Sequence, residues 1–152
     1  MSTEFAARLA ERRDSETIAQ FNRAMAWETE QRTLPPETAR AGVEAVLRNP
    51  SLGFYVVAEQ GGEIAGSLLI TPEWSDWRNG VYWWIQSVYV KPACRRQGIY
   101  RQMYDYVRAK AAQEGNICGF RLYVEQSNIR AQHTYQNLGM KEAHYKMYEQ
   151  LP

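Results

Sequence analysis

The sequence predicts an α/β protein built around a mixed central β-sheet, and three features support this prediction. Helical and strand-like periodicities alternate along the chain, residues 81–90 are a long β-branched and aromatic segment, and Gln60-Gly61-Gly62 separates two strand-like segments as a hairpin turn does. A strand that is apolar on both faces usually lies in the middle of a sheet. The expected order is β-α-α-β-β-β-α-β-α-β, with about four helices flanking the sheet.

The amino-terminal part is expected to hold a strand and two helices. Residues 5–10 form a weak strand, and Asp14 then caps the first helix, because its carboxylate can accept hydrogen bonds from the free amides of the first turn. The second helix opens at Pro35-Pro36, where a fixed φ suits the first turn, and it ends at Asn49-Pro50.

The remaining elements follow from turn residues and from changes of period. The two hairpin strands precede a polar loop and the central strand, and a helix, a strand, a short helix and a last strand come after it. The hairpin strands are expected at residues 54–59 and 63–70, the loop at 73–80 and the central strand at 81–90. After it we expect a helix at 98–114, a strand at 119–124, a short helix at 129–138 and the last strand at 143–149. Gly115 and Gly139 end the two helices, and Asn128 caps the shorter one.

Composition and charge exclude several classes of protein. With 152 residues, 45% of them hydrophobic, the chain suits one domain over residues 1–152. The net charge of +1 gives no basic surface for nucleic acid, and no apolar run approaches the roughly 20 residues that span a bilayer. Met1-Ser2-Thr3-Glu4 lacks signal-peptide features, and Cys94 and Cys118 lack metal-site spacing. We expect a cytoplasmic protein with no metal, nucleic-acid or membrane partner.

Residues 88–101 have the pattern of an anion site. Val88-Tyr89-Val90 ends a strand, Lys91-Pro92-Ala93-Cys94 is a turn, and Arg95-Arg96-Gln97-Gly98-Ile99 leads into a helix. The free amides and the dipole of a helix start attract phosphate, and Gly98 allows close approach of the backbone. The common phosphate fingerprints, GxGxxG and GxxxxGK[ST], are not in the sequence.

These residues resemble the cofactor motif of the GNAT superfamily of acetyl-CoA-dependent N-acetyltransferases, written R/Q-x-x-G-x-G/A after a V-x-V strand. The resemblance implies that the strand pairs with the pantetheine arm and that the loop binds the coenzyme A pyrophosphate. The cofactor-binding residues it implies are Val88, Tyr89, Val90, Arg95, Arg96, Gln97, Gly98, Ile99, Tyr100, Arg101 and Asn128. Tyr100 departs from the motif, because it stands where the family has a small residue.

A second segment matches the family's pattern N-x-x-A-x-x-x-Y-x-x-x-G-F, with Asn128, Ala131, Tyr135 and Gly139-Met140 in its positions. The stretch Trp84–Tyr104 also resembles a bacterial-type subgroup of small GNAT enzymes with an aromatic residue at position 100. The resemblance implies acetyl transfer to a primary amine, of a small molecule, by direct attack in a ternary complex. It also implies that Tyr135 is the general acid. The oligomeric state stays open, with a homodimer among the alternatives.

The sequence leaves the general base open. Several family members have a glutamate in the central strand where this chain has Trp84, so the candidates are Glu28 and Glu30 after the first helix, and Glu73 and Asp76 before the central strand. We favour Glu28 and Glu73 for the catalytic role.

The substrate side is assigned from the tryptophans, four of which lie between positions 74 and 84. Large aromatics form core clusters or pocket walls. A wall built from Trp74, Trp77 and Trp83, with Glu28 and Asp76 nearby, would suit a small ammonium substrate. Two alternatives remain: an enzyme that acetylates peptides or proteins, and a module that binds acyl-CoA without transferring the acyl group.

Overall fold

The computed structural model describes residues 4–152, and the chain divides into two compact units, Met1–Leu122 and Tyr123–Pro152. Residues 1–3, part of the segment on which we expect no signal peptide, lie outside the described residues. No helix among residues 4–152 has both the length and the apolar character needed to cross a bilayer. The single-domain prediction for residues 1–152 stays a prediction.

The first unit contains all the strands and three of the helices described for residues 4–152. Its elements are β1 (Ala6–Leu9), α1 (Ser15–Glu30), α2 (Pro36–Arg48), β2 (Phe54–Gln60), β3 (Glu63–Ser75), β4 (Gly80–Val90), α3 (Ile99–Glu114) and β5 (Ile117–Arg121). The second unit contains α4 (Ile129–Asn137). This order confirms the α/β class and the predicted succession of elements as far as α4.

The sheet is mixed, with strand order β1-β2-β3-β4-β5. The first three pairs are antiparallel, and β4 pairs with β5 in parallel. Gly61 and Gly62 join β2 to β3 with φ values of 58° and 83°. Positive φ at both central residues is what a two-residue hairpin turn of the favoured hand requires, so the glycines there are dictated by the turn.

Helices cover both faces of the sheet, because neighbouring strand residues point to opposite sides. On one side Ile18 and Phe21 of α1 pack with Tyr55 and Val57 of β2, and the Phe21 ring lies 5.0 Å from that of Tyr89. We call this side, which also carries Tyr82, Trp84 and Gln86, the α1 face. On the opposite side a chain of ring contacts links Phe54, Trp83, Phe120 and, on α3, Tyr104.

Asp14 occupies the cap position of α1, but its carboxylate does not cap the helix. It accepts bonds from both terminal nitrogens of Arg8, at 2.8 and 3.1 Å, and from the Glu11 amide at 2.7 Å. The predicted capping bond is therefore wrong, because a stronger charged partner takes these oxygens. Burial alone would raise the pKa of Asp14, but the bonds from Arg8 and from the Glu11 amide outweigh it and lower the pKa below its usual value.

Three predicted bounds also need correction. The polar loop of residues 73–80 is shorter than expected, because β3 runs to Ser75 and pairs residue by residue with β4 down to Gly80. The fifth strand lies at Ile117–Arg121 rather than at residues 119–124. Residues 143–149, expected as the last strand, form no strand in the described part of the chain.

Candidate active site

Strand β4 carries a β-bulge close to its carboxyl end. Its register with β3 shifts between Ser67 and Leu69, and Ser87 has a φ of 51°. A bulge places two residues opposite one and increases the local twist. Because the register shifts by one extra residue, Tyr89 opposite Ser67 lies on the same face as Gln86 opposite Leu69.

Beyond the bulge, β4 and β5 are no longer paired. Their register runs from Val81 opposite Ile117 to Trp84 opposite Arg121, while β4 continues to Val90. This end of β4 therefore offers an edge on which an extended ligand could add hydrogen bonds like a further strand. Val88, Tyr89 and Val90 lie on this edge, and they are the residues on which the sequence predicts the pantetheine arm.

The loop after β4 leads directly into the start of α3. The Lys91 amide donates to the Ala65 carbonyl at 2.8 Å, and one turn of 3-10 helix spans Pro92–Cys94. Arg96 and Gly98 have φ values of 65° and 76°. Such left-handed residues turn successive amides toward one side of a loop, which is a geometry that binds anions.

The first turn of α3 adds to this arrangement. Gly98 is its cap residue, and no side-chain hydrogen bond from the cap position closes this end of the helix. A Cβ atom built on Gly98 would meet no atom within 4 Å. The positive end of the helix dipole thus faces open space, as a pyrophosphate site requires.

Gly66, which the sequence analysis did not single out, holds this junction together. A Cβ atom there would lie 2.8 Å from the Tyr89 carbonyl oxygen, 3.3 Å from a Val90 methyl and 3.5 Å from a methyl of Ile99. Only glycine lets β3 approach the end of β4 and the start of α3 this closely. The available signal was a glycine within a strand, which often marks close approach of another backbone.

Tyr100 lies along the side of α3, where its ring stacks on that of Tyr104. The two ring centroids are 6.1 Å apart and the rings are nearly parallel, at 6°. Residues four apart are neighbours on a helix surface, so the large side chain at the motif's last position packs against its own helix. Burial raises the pKa of the Tyr104 phenol.

Arg95 and Glu28 form an ion pair that joins the end of α1 to the loop. A terminal nitrogen of Arg95 lies 2.8 Å from Glu28 Oε2, and its Nε donates to the Val90 carbonyl at 2.8 Å. The Tyr89 hydroxyl donates to Glu28 Oε1 at 3.4 Å, and burial together with the Glu28 charge raises the pKa of Tyr89. The structure thus brings together Glu28, a predicted base, and two predicted cofactor residues.

Glu73 lies farther down the same face and is also paired. Its Oε1 accepts from Arg121 Nη1 at 2.8 Å and from the Trp84 indole nitrogen at 3.2 Å. Arg121 lies on β5 and Glu73 on β3, so the pair bridges the sheet over β4. Trp84, which stands where several family members have a glutamate, therefore donates a hydrogen bond to Glu73 of the neighbouring strand β3.

The three tryptophans assigned to a substrate pocket do not form one wall. Trp83 is a core residue with 6% of its surface exposed, packed between Phe54 and Phe120, whereas Trp74 and Trp77 are 60% and 88% exposed. Asp76 and Trp77 lie in the turn between β3 and β4. The predicted pocket wall of three tryptophans is wrong, because side chains alternate along β4 and Trp83 therefore points away from the α1 face and into the core.

The second unit shows the helix that the downstream motif predicts. The Asn128 side chain accepts from the Ala131 amide at 3.2 Å, which caps α4, and Gly139 has a φ of 95°. Tyr135 is half-buried on α4, and burial raises the pKa of its phenol. A phenol with a raised pKa stays protonated at neutral pH, so it can act as a proton donor.

The roles assigned to these site residues stay predictions. Among residues 4–152, no three His, Cys, Asp or Glu side chains come together as metal ligands.

A mixed sheet whose fourth strand ends in an unpaired edge, followed by a helix start without a side-chain cap, suits an acyltransferase that uses acyl-CoA. The chain belongs to the acetyltransferase (GNAT) family, whose sequence model matches residues 8–140. It uses acetyl-CoA as its co-substrate. No curated protein sequence gives a significant match.

Solved structures agree with this assignment. The crystal structure of a possible acetyltransferase from Clostridium difficile 630 is 41% identical over 97% of both chains, with a TM-score of 0.91. A predicted acetyltransferase from Clostridium acetobutylicum, solved with acetyl-CoA, is 18% identical over 97% of this chain and 96% of its own, with a TM-score of 0.78. The aminoglycoside N-acetyltransferase AAC(6')-Iy, solved with CoA, is 16% identical over 99% and 97%, with a TM-score of 0.78. At 18% and 16% identity, the last two structures show only that the fold is the same as that of this chain.

Proposed function

We propose that the protein transfers the acetyl group of acetyl-CoA to a primary amine of a small molecule, by direct attack within a ternary complex. The observation that carries this proposal is the junction of β4 and α3, where an open strand edge leads into an uncapped helix start. The two features suit the two parts of the cofactor, an extended pantetheine arm and a doubly charged pyrophosphate.

In this proposal the backbone holds the cofactor. The amides of Ile99, Tyr100 and Arg101 and the left-handed loop at Arg96–Gly98 bind the pyrophosphate oxygens. The exposed side chains of the loop, Arg95, Arg96 and Gln97, add polar contacts, and Asn128 shapes the helix that follows. Val88–Val90 pairs with the pantetheine amides and supplies an amide to the thioester oxygen.

The chemistry follows from the needs of a thioester. The neutral amine nitrogen attacks the carbonyl carbon, and the oxygen gains negative charge, which a strand amide stabilises. The carbon–sulfur bond then breaks, and the thiolate takes the phenolic proton of Tyr135, the proposed general acid. The phenol is protonated at neutral pH, as a general acid must be before the thiolate forms.

Glu28 is the carboxylate that we propose for the acceptor amine. Its contacts with Arg95 and Tyr89 set it beside the end of β4, whereas Glu73 pairs with Arg121 nearer the other end of the strand. A pyrophosphate that binds the Arg95 guanidinium would compete with Glu28 for it. The released carboxylate could then take the proton that the attacking ammonium must lose.

The Glu73–Arg121 bridge supports a small acceptor. It crosses β4 beside Trp84, and Val88 lies four positions farther along the chain, which is about 13 Å at the rise of a strand. An acceptor lying on the α1 face between the two points would therefore be of small-molecule length.

The test is release of free coenzyme A thiol from acetyl-CoA across a panel of small primary amines, with matched lysine-containing peptides as a second arm. We expect turnover with one or more small amines and little with the peptides. An inactive Tyr135→Phe control would assign the activity to this site. Turnover confined to peptides would contradict the small-molecule acceptor, and no transfer to any amine would contradict the proposed reaction.

A further inference from the structure

Tyr89 contacts both members of the ion pair at the end of β4. Its hydroxyl oxygen lies 3.4 Å from Glu28 Oε1, and the guanidinium carbon of Arg95 lies 5.5 Å from the centroid of its ring. Arg95 in turn donates to the other carboxylate oxygen of Glu28, at 2.8 Å. Within residues 4–152, Arg95 and Tyr89 are the two hydrogen-bond partners of this carboxylate. The carboxylate is therefore held from two sides, by a cation and by a phenol.

The phenol is the fixed member of this cluster. Tyr89 is 8% exposed, and its ring lies 5.0 Å from that of Phe21 on α1. Glu28 follows Phe21 by seven residues, which is about two turns of helix, so one side of α1 presents both residues to β4. By contrast, the side chains of Arg95 and Glu28 are 40% and 39% exposed. The two charged groups can therefore rearrange while the Tyr89 ring stays in place.

Glu28 lies at an unfavourable position for the helix that carries it. It is in the last turn of α1, where the helix dipole presents its negative end, and Glu30 adds a second carboxylate to the same turn. No basic residue in that turn offsets these charges. The Glu28 carboxylate therefore depends on groups outside α1, and Arg95 and Tyr89 supply them. A residue that opposes local stability in this way is typical of a functional site.

The two contacts of Glu28 should respond differently to the cofactor. In the proposed function the pyrophosphate competes for Arg95, which lies in the exposed loop, whereas Tyr89 is packed in the core. The bond from Tyr89 is long at 3.4 Å, since O–H···O bonds are usually about 2.7–2.8 Å. Once Arg95 no longer holds Oε2, the carboxylate is free to move the remaining distance toward the hydroxyl.

We propose that Tyr89 is a positioning residue, whose hydroxyl keeps Glu28 at the end of β4 after the cofactor has taken Arg95. This inference rests on the proposed function, in which Glu28 takes the proton of the attacking ammonium. The phenol is protonated at neutral pH, so it donates to Oε1 and leaves Oε2 for the amine. Without the hydroxyl, a released carboxylate at an exposed helix end would turn to solvent and away from β4.

The kinetic test is Tyr89→Phe, which keeps the ring and removes the hydroxyl. We expect the Kd for acetyl-CoA to stay within about twofold while kcat/KM for the amine falls about tenfold, the contribution of a hydrogen bond to a charged group. In a Glu28→Gln background the same change should have no further effect, because it acts through the carboxylate. Tyr55→Phe alters another buried tyrosine of the same packing cluster, so it is the matched control and should behave as wild type.

A spectroscopic test follows the phenol directly and does not depend on turnover. Tyrosine is labelled isotopically at the ring carbon that bears the hydroxyl, and the NMR signal that Tyr89→Phe removes is assigned to Tyr89. We expect this signal to move when coenzyme A saturates the wild-type protein, because the Glu28 carboxylate then approaches the hydroxyl. Most of the movement should be lost in Glu28→Gln, whose neutral side chain forms no ion pair with Arg95.

The outcomes separate this inference from the reaction itself. An active wild-type protein with unchanged kcat/KM in Tyr89→Phe, or an equal loss with and without Glu28, would overturn the positioning role and leave acetyl transfer intact. A Tyr89 signal that moves equally in Glu28→Gln would also overturn it. A movement that depends on Glu28, in a wild-type protein that transfers no acetyl group, would support the contact and contradict the proposed reaction.

Discussion

Gly98 and Gly115 stand at opposite ends of α3, and together they allow a controlled test of the cofactor site. Both residues are left-handed, with φ values of 76° and 81°, and a Cβ atom on either would meet nothing within 4 Å. Replacing either glycine by alanine therefore adds backbone strain without a clash. A left-handed L-residue costs roughly 1–2 kcal/mol, which lowers the melting temperature of a domain of this size by about 2–8 °C.

Only the Gly98→Ala change adds a methyl group where the pyrophosphate should bind. We expect both variants to melt lower than wild type by similar amounts when no ligand is present. Acetyl-CoA at 100 times its Kd should stabilise wild type and Gly115→Ala by about 2.7 kcal/mol. In Gly98→Ala this ligand-dependent rise should be largely lost, because the methyl group blocks phosphate oxygens from the amides.

The assay is thermal unfolding of the three proteins across a titration of acetyl-CoA. Gly98→Asn is a useful fourth protein, since asparagine tolerates the left-handed region better than alanine but is larger. It should therefore recover stability without recovering acetyl-CoA binding. If Gly98→Ala shows the same ligand-dependent rise as Gly115→Ala, the loop does not hold the pyrophosphate.

Three further changes test other parts of the structure. Tyr135→Phe should lower kcat roughly 10²–10⁴-fold with little change in KM for acetyl-CoA, whereas the control Tyr148→Phe, at an exposed position, should leave kcat unchanged. An unaltered rate of the chemical step in Tyr135→Phe would refute the general-acid role of Tyr135. Glu28→Gln should strengthen acetyl-CoA binding up to about fivefold, because it releases Arg95 from its ion pair, while transfer to the amine slows. Weaker acetyl-CoA binding in calorimetry would contradict the proposed competition between Glu28 and the pyrophosphate for Arg95. Asp14→Asn should reduce the free energy of unfolding by roughly 1–3 kcal/mol in denaturant titrations, because it removes the charged acceptor of two Arg8 bonds and leaves Arg8 only its ion pair with Glu59. Since the folded pKa of Asp14 lies below its ordinary value of 3.8, this stability is fully present above pH 3.8 and is lost as the pH falls from there through the lower folded pKa. The variant's stability should depend less on pH in that range.

Local signals predicted the parts of the fold that depend on local conformation. Gly61-Gly62, Gly115 and Gly139 adopt the left-handed conformations that their turn and helix-end positions indicated. The strand before the junction is β-branched and aromatic, and it lies inside the sheet as β4. Each of these features needs only a few consecutive residues, which a single sequence contains.

Pairings between distant residues were not predictable in the same way. Glu28 and Arg95 are separated by 67 positions, and Glu73 and Arg121 by 48. All four are exposed enough that no burial pattern marks them, and their meeting depends on the register of β4. That register includes a bulge at Ser87, which no glycine or proline indicates.

The tryptophans illustrate a second limit. Trp83 and Trp84 are neighbours, and alternation along β4 sends them to opposite faces. Because β4 is apolar on both faces, the sequence could not show which side is the core. The structure assigns Trp83 to the contacts with Phe54 and Phe120, and Trp84 to a bond with Glu73.

Trp84 also explains why the two candidate carboxylates differ in role. A glutamate at this position would place its charge on β4, beside the acceptor. With tryptophan there, the indole N–H and Arg121 together hold Glu73, so this carboxylate serves to orient an arginine. Glu28 is held by Arg95, a residue that the proposed pyrophosphate would compete for, so its charge becomes available when the cofactor binds. The two carboxylates thus have different partners: Glu73 holds Arg121 across the sheet, and Glu28, paired with Arg95 beside the cofactor loop, is the one proposed to take the acceptor's proton.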